Sequence, residues 1–489
     1  MTSVERIRRP LGPVLASIAA IATIGFVSSE LLSGQAPTAP GAAAQAGGAP
    51  GQDGGRGRGQ GGGGRGGGFG QVPVNLPTAP TPVALPALSA EVTGPGPMFD
   101  SAPSTAPGKG AKDFAYEVKE YWVSGTANGQ PYKTRLVVRA PADRGRFSGV
   151  VVMEAMHPSG AAHIFEFTSI YSMTAGHAVA EVVVAPNATA QFTKLNEARY
   201  RDFQLSQGQA SEILAQVGSL MRNAQRGPLA GFGVRKMILG GTSATSATLI
   251  AYLPAHLVYR TPDSQRIYDG FLPTSTADVV PRVDVPMVLI PTMNEVNGPA
   301  VSRRQDGDGG DDQFRVYEFP GMNHIDTRDN VRLVPNPCTQ PLNPFPHQAY
   351  MSVGLYHLLQ WVDRGIVPPR SERVWITRVN GSMMALDEHG NPRGGVRNPY
   401  VDVPVARYAP TNTPADPPIS HPSPLFTPLL CGLGGYQVMF PEQKLRQLYG
   451  NKQTYVRRVT ERLDALEKAG WSLPVYREMI LADARKVTF

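Results

Sequence analysis

One serine in this chain stands where a nucleophile could be exposed. In "KMILGGTSATSATLIAYL", Ser243 follows a short apolar stretch over residues 236–240, and it lies at the beginning of a segment, residues 242–256, that is predicted to start a helix. A serine on a tight strand-to-helix turn, with small neighbours and a strained backbone, is typical of a nucleophile elbow. The usual Gly-x-Ser-x-Gly pattern is here Gly-Thr-Ser-Ala-Thr, without the last glycine. Small residues also follow ordinary buried strands, so this match by itself is weak.

A serine nucleophile needs a base that takes its proton and a carboxylate that orients the base. In this architecture the acid and then the histidine follow the serine along the chain, each after a strand. Glu295 is separated from the end of the apolar stretch "PMVLIPT" by only two residues, and His324 follows "FRVYEF" within "GMNHID". Taken singly, each is also compatible with a solvent-exposed loop residue. Together they predict a Ser243–His324–Glu295 triad.

The negative charge that develops on an attacked carbonyl oxygen requires hydrogen-bond donors, usually two backbone N–H groups. The residue after the nucleophile, Ala244, is predicted to supply one. The loop after the apolar stretch "GVVVMEA" is predicted to supply the other, from Met156 or His157. His157 could instead face the substrate or cap its loop, and the sequence leaves these alternatives open.

Other carboxylates lie near the predicted histidine. Asp326 is only two residues from His324, which is a poor position from which to reach the far ring nitrogen. The segment "RRQDGDGGDDQ" contains four aspartates, Asp306, Asp308, Asp311 and Asp312, but the twelfth position of a calcium loop counted from Asp306 is Tyr317. There is no Cys-x-x-Cys and no His-Glu-x-x-His. We therefore predict no metal site and no separate cofactor.

The elements that must position these residues belong to the α/β class. A hairpin is predicted around Asn128-Gly129, a dipeptide that tolerates the positive φ angles of a type I′ turn. Buried strands then alternate with helices, which predicts a mostly parallel sheet covered on both faces. We predict a single domain over residues 109–489, with a helical and irregular C-terminal extension from about residue 348.

The N-terminal part has a different composition. Residues 1–34 place arginines before a short apolar run, the layout of an export signal, and an uncleaved membrane anchor is the alternative. Residues 35–108 are rich in Gly, Pro and Ala and are predicted to be a disordered linker. The net charge of +7 comes partly from arginines in this region, and no basic stripe interleaved with aromatics follows. We therefore expect no nucleic-acid partner and a secreted or periplasmic location.

Several segments together resemble a known family. They are "RLVVRAPADRGRFSGVVVMEAMHPSG", "ARYRDF", "GGTSATS", "YEFPGMNHID", "CTQPLNPFPHQAYMSVGLYHLLQWVDRGIVPP", "DEHGNPRGGVRNPYVDVPVARY" and "CGLGGYQVMFPEQKLRQLYGNKQTYVRRV". The chain resembles the exported bacterial "alpha/beta hydrolase domain" proteins, a branch of the α/β-hydrolase superfamily. The resemblance implies an α/β-hydrolase fold and hydrolysis of carboxylic esters. Family members usually have Gln-Ser where this chain has Ala244-Thr245, and Asp where it has Glu295.

The chain has two cysteines, Cys338 and Cys431. In an exported protein an even count permits a disulfide, and two buried free thiols are the alternative. Both cysteines lie within segments that carry the family resemblance, and the resemblance favours their pairing.

The interpretation that unites these features is an exported serine hydrolase that cleaves a small-molecule or polymeric ester through an acyl-enzyme. Two alternatives stay open. One is a catalytically inactive binding protein on the same fold, which the unusual Ala244-Thr245 pair favours. The other is an amidase or a polyester-degrading enzyme, because a fold does not determine its substrate.

Overall fold

A large twisted sheet forms the centre of the protein. The computed structural model describes residues 75–105, 108–298, 304–328, 335–377, 384–416 and 426–489. The strands within these ranges are β1 (Thr81–Pro82), β2 (Ala87–Leu88), β3 (Tyr116–Ala127), β4 (Gln130–Pro141), β5 (Val150–Ala155), β6 (Ala178–Val182), β7 (Lys236–Thr242), β8 (Tyr259–Arg260), β9 (Gly270–Thr274), β10 (Met287–Leu289), β11 (Gly307–Gly309), β12 (Asp312–Val316), β13 (Ala406–Ala409) and β14 (Tyr436–Met439).

Ten of these strands in the described ranges make one sheet, in the order β11-β12-β10-β9-β7-β5-β6-β4-β3-β2. The six strands from β12 to β6 in this order are parallel, whereas β11 at one edge and β4, β3 and β2 at the other are antiparallel to their neighbours. The predicted α/β class and its mostly parallel sheet are therefore confirmed.

Helices cover both faces of the sheet. They are α1 (His163–Thr174), α2 (Ala190–Leu195), α3 (Glu197–Tyr200), α4 (Ala210–Arg222), α5 (Ala244–Val258), α6 (Met293–Val296), α7 (His347–Arg364), α8 (Pro399–Asp402), α9 (Phe426–Gly434), α10 (Glu442–Tyr449), α11 (Lys452–Lys468) and α12 (Arg477–Lys486). Short 3-10 turns lie at Ala111–Phe114, Arg144–Arg146, Pro186–Ala188 and Pro474–Tyr476.

The strands are apolar on both faces because each face has its own core. In β5, Val150 and Val152 pack in the core that includes α1 and α7, while Val151 and Met153 pack in the core that includes α4 and α5. Side chains of a strand alternate between faces, so a continuous apolar run is what a sheet covered on both sides requires. This doubly covered sheet makes a rigid platform for residues at its carboxyl edge.

The hairpin prediction is confirmed, and one parallel strand of the central sheet was not predicted. Asn128 and Gly129 lie between β3 and β4 with φ angles of 48° and 71°, as a type I′ turn requires. Strand β9 was not predicted, because it is only five residues long and contains Pro273. It nevertheless pairs with both β7 and β10, and so it lies beside the strand that ends at the candidate nucleophile.

The boundary of the predicted linker needs correction. Residues 1–74 lie outside the described residues, and with them the predicted export signal and most of the predicted linker. Within residues 75–105, however, Val83 and Ala102 are buried in the cores, and buried Ser101 donates a hydrogen bond to Glu181 of β6. The chain thus packs on the sheet well before residue 109, through single anchoring residues that composition does not reveal.

The C-terminal extension shares the core of the sheet. Leu463 of α11 and Ile480 of α12 are buried in the same cluster as Leu355 of α7, which itself packs beside strand residues. The extension is therefore part of the same folded unit as the sheet. Among the helices of the described ranges, none combines the length and the apolar character needed to cross a bilayer.

A disulfide bond links the extension to the loop that follows strand β12. Cys338 and Cys431 are joined across 93 positions of sequence, and both are buried. The pairing that the family resemblance implied is thus present. Next to Cys431, the carbonyl of Gly432 accepts a hydrogen bond from the side chain of Asn294, and the carbonyl of Leu433 accepts one from the N–H of Ile325. The bond therefore holds α9 against the loop that contains His324.

Replacing both cysteines by serine is expected to destabilise the folded protein by roughly 4 kcal/mol, because a closed loop of this length restricts the unfolded chain. Urea unfolding of the oxidised wild type and of the Cys338→Ser/Cys431→Ser variant measures this difference. The matched control is the wild type with a reductant, which should unfold at nearly the same urea concentration as the variant. Equal midpoints for variant and oxidised wild type would contradict the prediction.

Candidate active site

Ser243 lies at the turn between β7 and α5, with φ of 56° and ψ of −119°. This is a conformation that non-glycine residues rarely adopt, so the surrounding structure must hold it. The Ser243 N–H donates to the carbonyl of Thr274 at the end of β9, at 3.1 Å. A Cβ at Gly241 would come within 2.4 Å of the Thr245 carbonyl oxygen, which explains why this position of the turn is glycine. The turn therefore has the geometry of a nucleophile elbow.

Thr245 stabilises the turn at the position where the usual motif has glycine. Its hydroxyl accepts from the Thr242 N–H and donates to the Thr242 carbonyl, both at 2.9 Å. Ser246, the other nearby serine, is fully buried, and its hydroxyl lies 2.7 Å from the Gly241 carbonyl oxygen. Ser243 is only partly buried. Of the two serines, it is the accessible one.

His324 connects the serine to a carboxylate. Its Nε2 lies 2.9 Å from Oγ of Ser243, and its Nδ1 lies 2.5 Å from Oε1 of Glu295. The side chains of His324 and Glu295 are 15% and 9% exposed. With an acceptor at Nδ1, the neutral ring carries its proton there and Nε2 is free to accept the serine proton. The three residues predicted from the sequence thus lie in hydrogen-bonding order.

Glu295 is held by a helix cap. It is the third residue of α6, and its Oε2 accepts from the N–H and the hydroxyl of Thr292, at 2.7 and 2.6 Å. Burial by itself raises the pKa of Glu295, but the adjacent His324 ring and the hydrogen bonds from His324 and Thr292 outweigh it, and the pKa is lowered. Glu295 is therefore an ionised acceptor for the histidine at neutral pH.

Two asparagines for which the sequence predicts no role position the histidine. The His324 N–H donates to Oδ1 of Asn294 at 2.8 Å, and the Asn294 amide donates to the carbonyls of Pro410 and Gly432. Asn323 is fully buried and its amide donates to the Pro410 carbonyl at 2.9 Å.

The short helix α6 has a signal in the sequence that could have predicted it. Thr292 and Glu295 have the Ser/Thr-x-x-Glu spacing of a capping box.

The competing carboxylates have other partners. Asp326 lies 3.5 Å from Nδ1 of the buried His347, and burial raises its pKa. Three of the four aspartates of the acidic segment, which lies in and directly before the β11–β12 hairpin, form ion pairs: Asp306 with Arg373, Asp308 with Arg315 and Arg370, and Asp312 with Arg282 and Arg304. In the described ranges, no three His, Cys, Asp or Glu residues are grouped so that they could hold a metal ion.

Only one part of the predicted oxyanion hole has the expected geometry. Ala244 is the first residue of α5, where helix geometry leaves its N–H without an intrahelical acceptor. The N–H of Met156 instead donates to the Val182 carbonyl at 2.9 Å, and that of His157 donates to the Ala161 carbonyl at 3.0 Å. The two backbone N–H groups are therefore already used, that of Met156 by strand β6 and that of His157 by its own loop, and neither is left to act as the predicted second backbone donor.

Several solved structures are similar to part of the chain at low identity. A cold-adapted esterase from an Arctic intertidal metagenomic library is 12% identical, with 36% of this chain and 71% of that chain covered and a TM-score of 0.22. A dienelactone hydrolase from Anabaena variabilis is 14% identical, with 36% of this chain and 74% of that chain covered and a TM-score of 0.23. A thermostable esterase from Pseudomonas putida is 12% identical, with 37% of this chain and 65% of that chain covered and a TM-score of 0.24.

No curated protein matches the chain. The model of a protein family described as "Alpha/beta hydrolase domain" matches residues 83–482, which include the sheet, the elbow and most of the C-terminal extension. The chain therefore belongs to the alpha/beta hydrolase domain family.

Proposed function

We propose that this protein is a serine hydrolase that cleaves carboxylic esters through an acyl-enzyme. The observation that carries the proposal is the continuous hydrogen-bonded series from Oγ of Ser243 through His324 to Glu295. A surface histidine or a loop acid would not need these two short contacts. Buried titratable groups with a shifted pKa and a specific charge partner are frequent at functional sites.

In the proposed reaction, Oγ of Ser243 attacks the ester carbonyl carbon while Nε2 of His324 takes the hydroxyl proton. The carbonyl electron pair moves onto oxygen, where the Ala244 N–H and the positive end of the α5 dipole stabilise it. The intermediate then releases the alcohol, which takes the proton from His324. Water, deprotonated by the same ring, attacks the acyl-enzyme and yields the carboxylic acid and free Ser243. Glu295 stays ionised and stabilises the imidazolium in both halves of the reaction.

The alternatives differ in what the serine does. An inactive binding protein would not need an accessible serine in strained geometry, because such strain costs on the order of 1–3 kcal/mol without benefit to binding. An amidase or a polyester-degrading enzyme would use the same three residues on another substrate. The esterase, the amidase and the polyester-degrading enzyme therefore differ only in their substrate, and all three would use the same catalytic residues.

We also propose that the protein is exported. The basic and apolar N-terminal segment of residues 1–34 supports this, and so does the Cys338–Cys431 bond, because such bonds persist in oxidising compartments. Mass spectrometry of the N-terminus of protein recovered from the periplasm or the medium tests this proposal. Recovery of the chain only from the cytosol, with both thiols free, would contradict it.

A fluorophosphonate probe followed by peptide mapping tests the proposed nucleophile. Label is expected on Ser243, and wild-type protein should hydrolyse p-nitrophenyl esters in a series of graded acyl length. Parallel assays with p-nitroanilides and with an insoluble polyester separate the three substrate classes. Label on Ser246, or on no serine, would refute the proposed mechanism, and turnover of anilides alone would replace the esterase assignment with an amidase.

A further inference from the structure

Most backbone N–H groups of the loop after β5 already have an acceptor within the protein. Beyond those of Met156 and His157, the Gly160 N–H donates to the His157 carbonyl at 2.8 Å, and the Ala162 N–H donates to the Ser101 carbonyl at 2.7 Å. A tetrahedral intermediate is normally stabilised by at least two donors. Ala244 accounts for one of them, and a side chain at the same edge of the sheet can supply the second.

His157 follows β5 at the same edge of the sheet at which Ser243 follows β7. Strands β5 and β7 are parallel neighbours, and Glu154 lies opposite Gly240. Three residues farther along each chain are His157 and Ser243, on backbones that start about 4.8 Å apart. The side chain of His157 is partly exposed, and among the described residues its Nε2 has no hydrogen-bond partner. Nε2 is thus available to a bound ligand.

The protonation of the His157 ring is determined by Ser159. The Ser159 N–H lies 3.1 Å from Nδ1 of His157 and can only donate, so Nδ1 must be an unprotonated acceptor. The hydroxyl of Ser159 also lies 2.7 Å from this nitrogen. In the neutral ring the single proton is then on Nε2, which makes Nε2 a donor.

Two other histidines lie near this ring. The ring of His163 is 4.9 Å from that of His157, and its own Nδ1 pairs with Glu166 at 3.0 Å. Burial lowers the pKa of His157 well below its usual value, and the nearby His163 and His324 rings lower it further. His157 is therefore a neutral donor that does not compete with His324 for the serine proton.

We infer that Nε2–H of His157 is the second donor of the oxyanion hole and that, together with the Ala244 N–H, it binds the carbonyl oxygen of the substrate in the tetrahedral intermediate. This inference rests on the proposed serine hydrolase function. It makes His157 a catalytic residue that acts through its side chain, with the loop backbone serving only to orient the ring.

The first test compares steady-state kinetics on p-nitrophenyl acetate. His157→Ala should lower kcat by about 10²–10³-fold with KM little changed, because the lost hydrogen bond is strongest in the transition state. His157→Gln keeps a neutral N–H donor and should recover part of the activity. The matched control is His163→Phe, which preserves a ring beside His157 and should stay within a few-fold of wild type. Turnover in His157→Ala within threefold of wild type would overturn the inference.

The second test uses an inhibitor that forms the oxyanion itself. A trifluoromethyl ketone adds to the serine to give a charged tetrahedral adduct, so His157→Ala should weaken its binding by the same factor as kcat/KM falls. Binding of the product acetate, which contains no such adduct, should change little. A loss of kcat with unchanged affinity for the ketone would assign His157 a structural role and overturn the inference.

The third test uses the wild-type chain and does not depend on how variants fold. With ¹⁵N-labelled histidine, the ring signals of His157 should show an unprotonated Nδ1 and a protonated Nε2, and the Nε2 proton should move downfield in the ketone adduct. A proton on Nδ1 would overturn the inference. These results can be distinguished from a failure of the proposed function. If the wild-type protein neither hydrolyses esters nor is labelled at Ser243, the proposed serine hydrolase function is refuted. If the wild type is active and His157→Ala has the same kcat, only the role of His157 as the second donor is refuted.

Discussion

Ser243→Ala is expected to lower kcat for p-nitrophenyl esters by at least ~10³-fold while the protein stays folded, because triad members act as a unit and the remaining groups cannot form an acyl-enzyme. The substitution removes only one oxygen, and the backbone hydrogen bond from Ser243 to the Thr274 carbonyl remains. Initial rates at saturating ester and intact-mass detection of an acyl adduct measure the effect.

Ser275 offers a matched control for this substitution. It follows β9 as Ser243 follows β7, and the pairing of Thr242 with Thr274 makes the two serines neighbours. Its φ is 51°, close to that of Ser243, and its buried hydroxyl has no partner among the described residues. Ser275→Ala should therefore keep turnover within a few-fold. Loss of activity in this control with normal activity in Ser243→Ala would show that the wrong serine was chosen.

Glu295→Gln is expected to lower kcat by about 10²–10⁴-fold with KM little changed. The reason is geometric as well as electrostatic. Thr292 presents two donors to one side of the Glu295 carboxylate, so the amide oxygen of a glutamine must face Thr292. Its NH₂ group then faces Nδ1 of His324, which must become an acceptor and carry its proton on Nε2. In that tautomer the ring cannot accept the proton of Ser243.

Asp326→Asn and Asp306→Asn are the controls for this experiment, since both acids lie near the histidine in sequence. Asp326 faces His347, and Asp306 pairs with Arg373. Neither should lower kcat by more than a few-fold, and Glu295→Asp should keep partial activity. Normal turnover in Glu295→Gln with collapse in either aspartate variant would show that another carboxylate orients the histidine.

Local patterns were sufficient for the class of fold and for the candidate triad. Apolar runs bounded by loops indicated buried parallel strands, and Asn128-Gly129 indicated the hairpin, because these signals depend on neighbouring residues alone. Ser243, Glu295 and His324 could be selected since each follows a strand, and carboxyl ends of parallel strands meet at one edge of a sheet. Motifs of the C-terminal extension carried the resemblance to the family to which the chain belongs.

Contacts between distant segments could not be read from local patterns. The chain from residue 75 to 105 looked like linker because its composition has little to bury, yet Ser101 and Ala102 are anchored by residues of β6 and α1 that follow much later. Strand β9 was hidden by its length and by Pro273, although pairing on both sides stabilises it. Asn294 is held in place to bind the His324 N–H only because the carbonyls of Pro410 and Gly432, in the C-terminal extension, accept hydrogen bonds from its amide.

The sequence by itself determined which side chains lie at the ends of the strands, because the apolar runs that indicate strands and the residues that favour turns act over only a few positions. Only the tertiary structure decided which donors remain for a substrate. The N–H groups of Met156 and His157 are used by carbonyls of Val182 and Ala161, whereas Nε2 of His157 is left available. A backbone N–H is satisfied by whichever acceptor the folded chain brings within about 3 Å, and that depends on the packing of the whole domain.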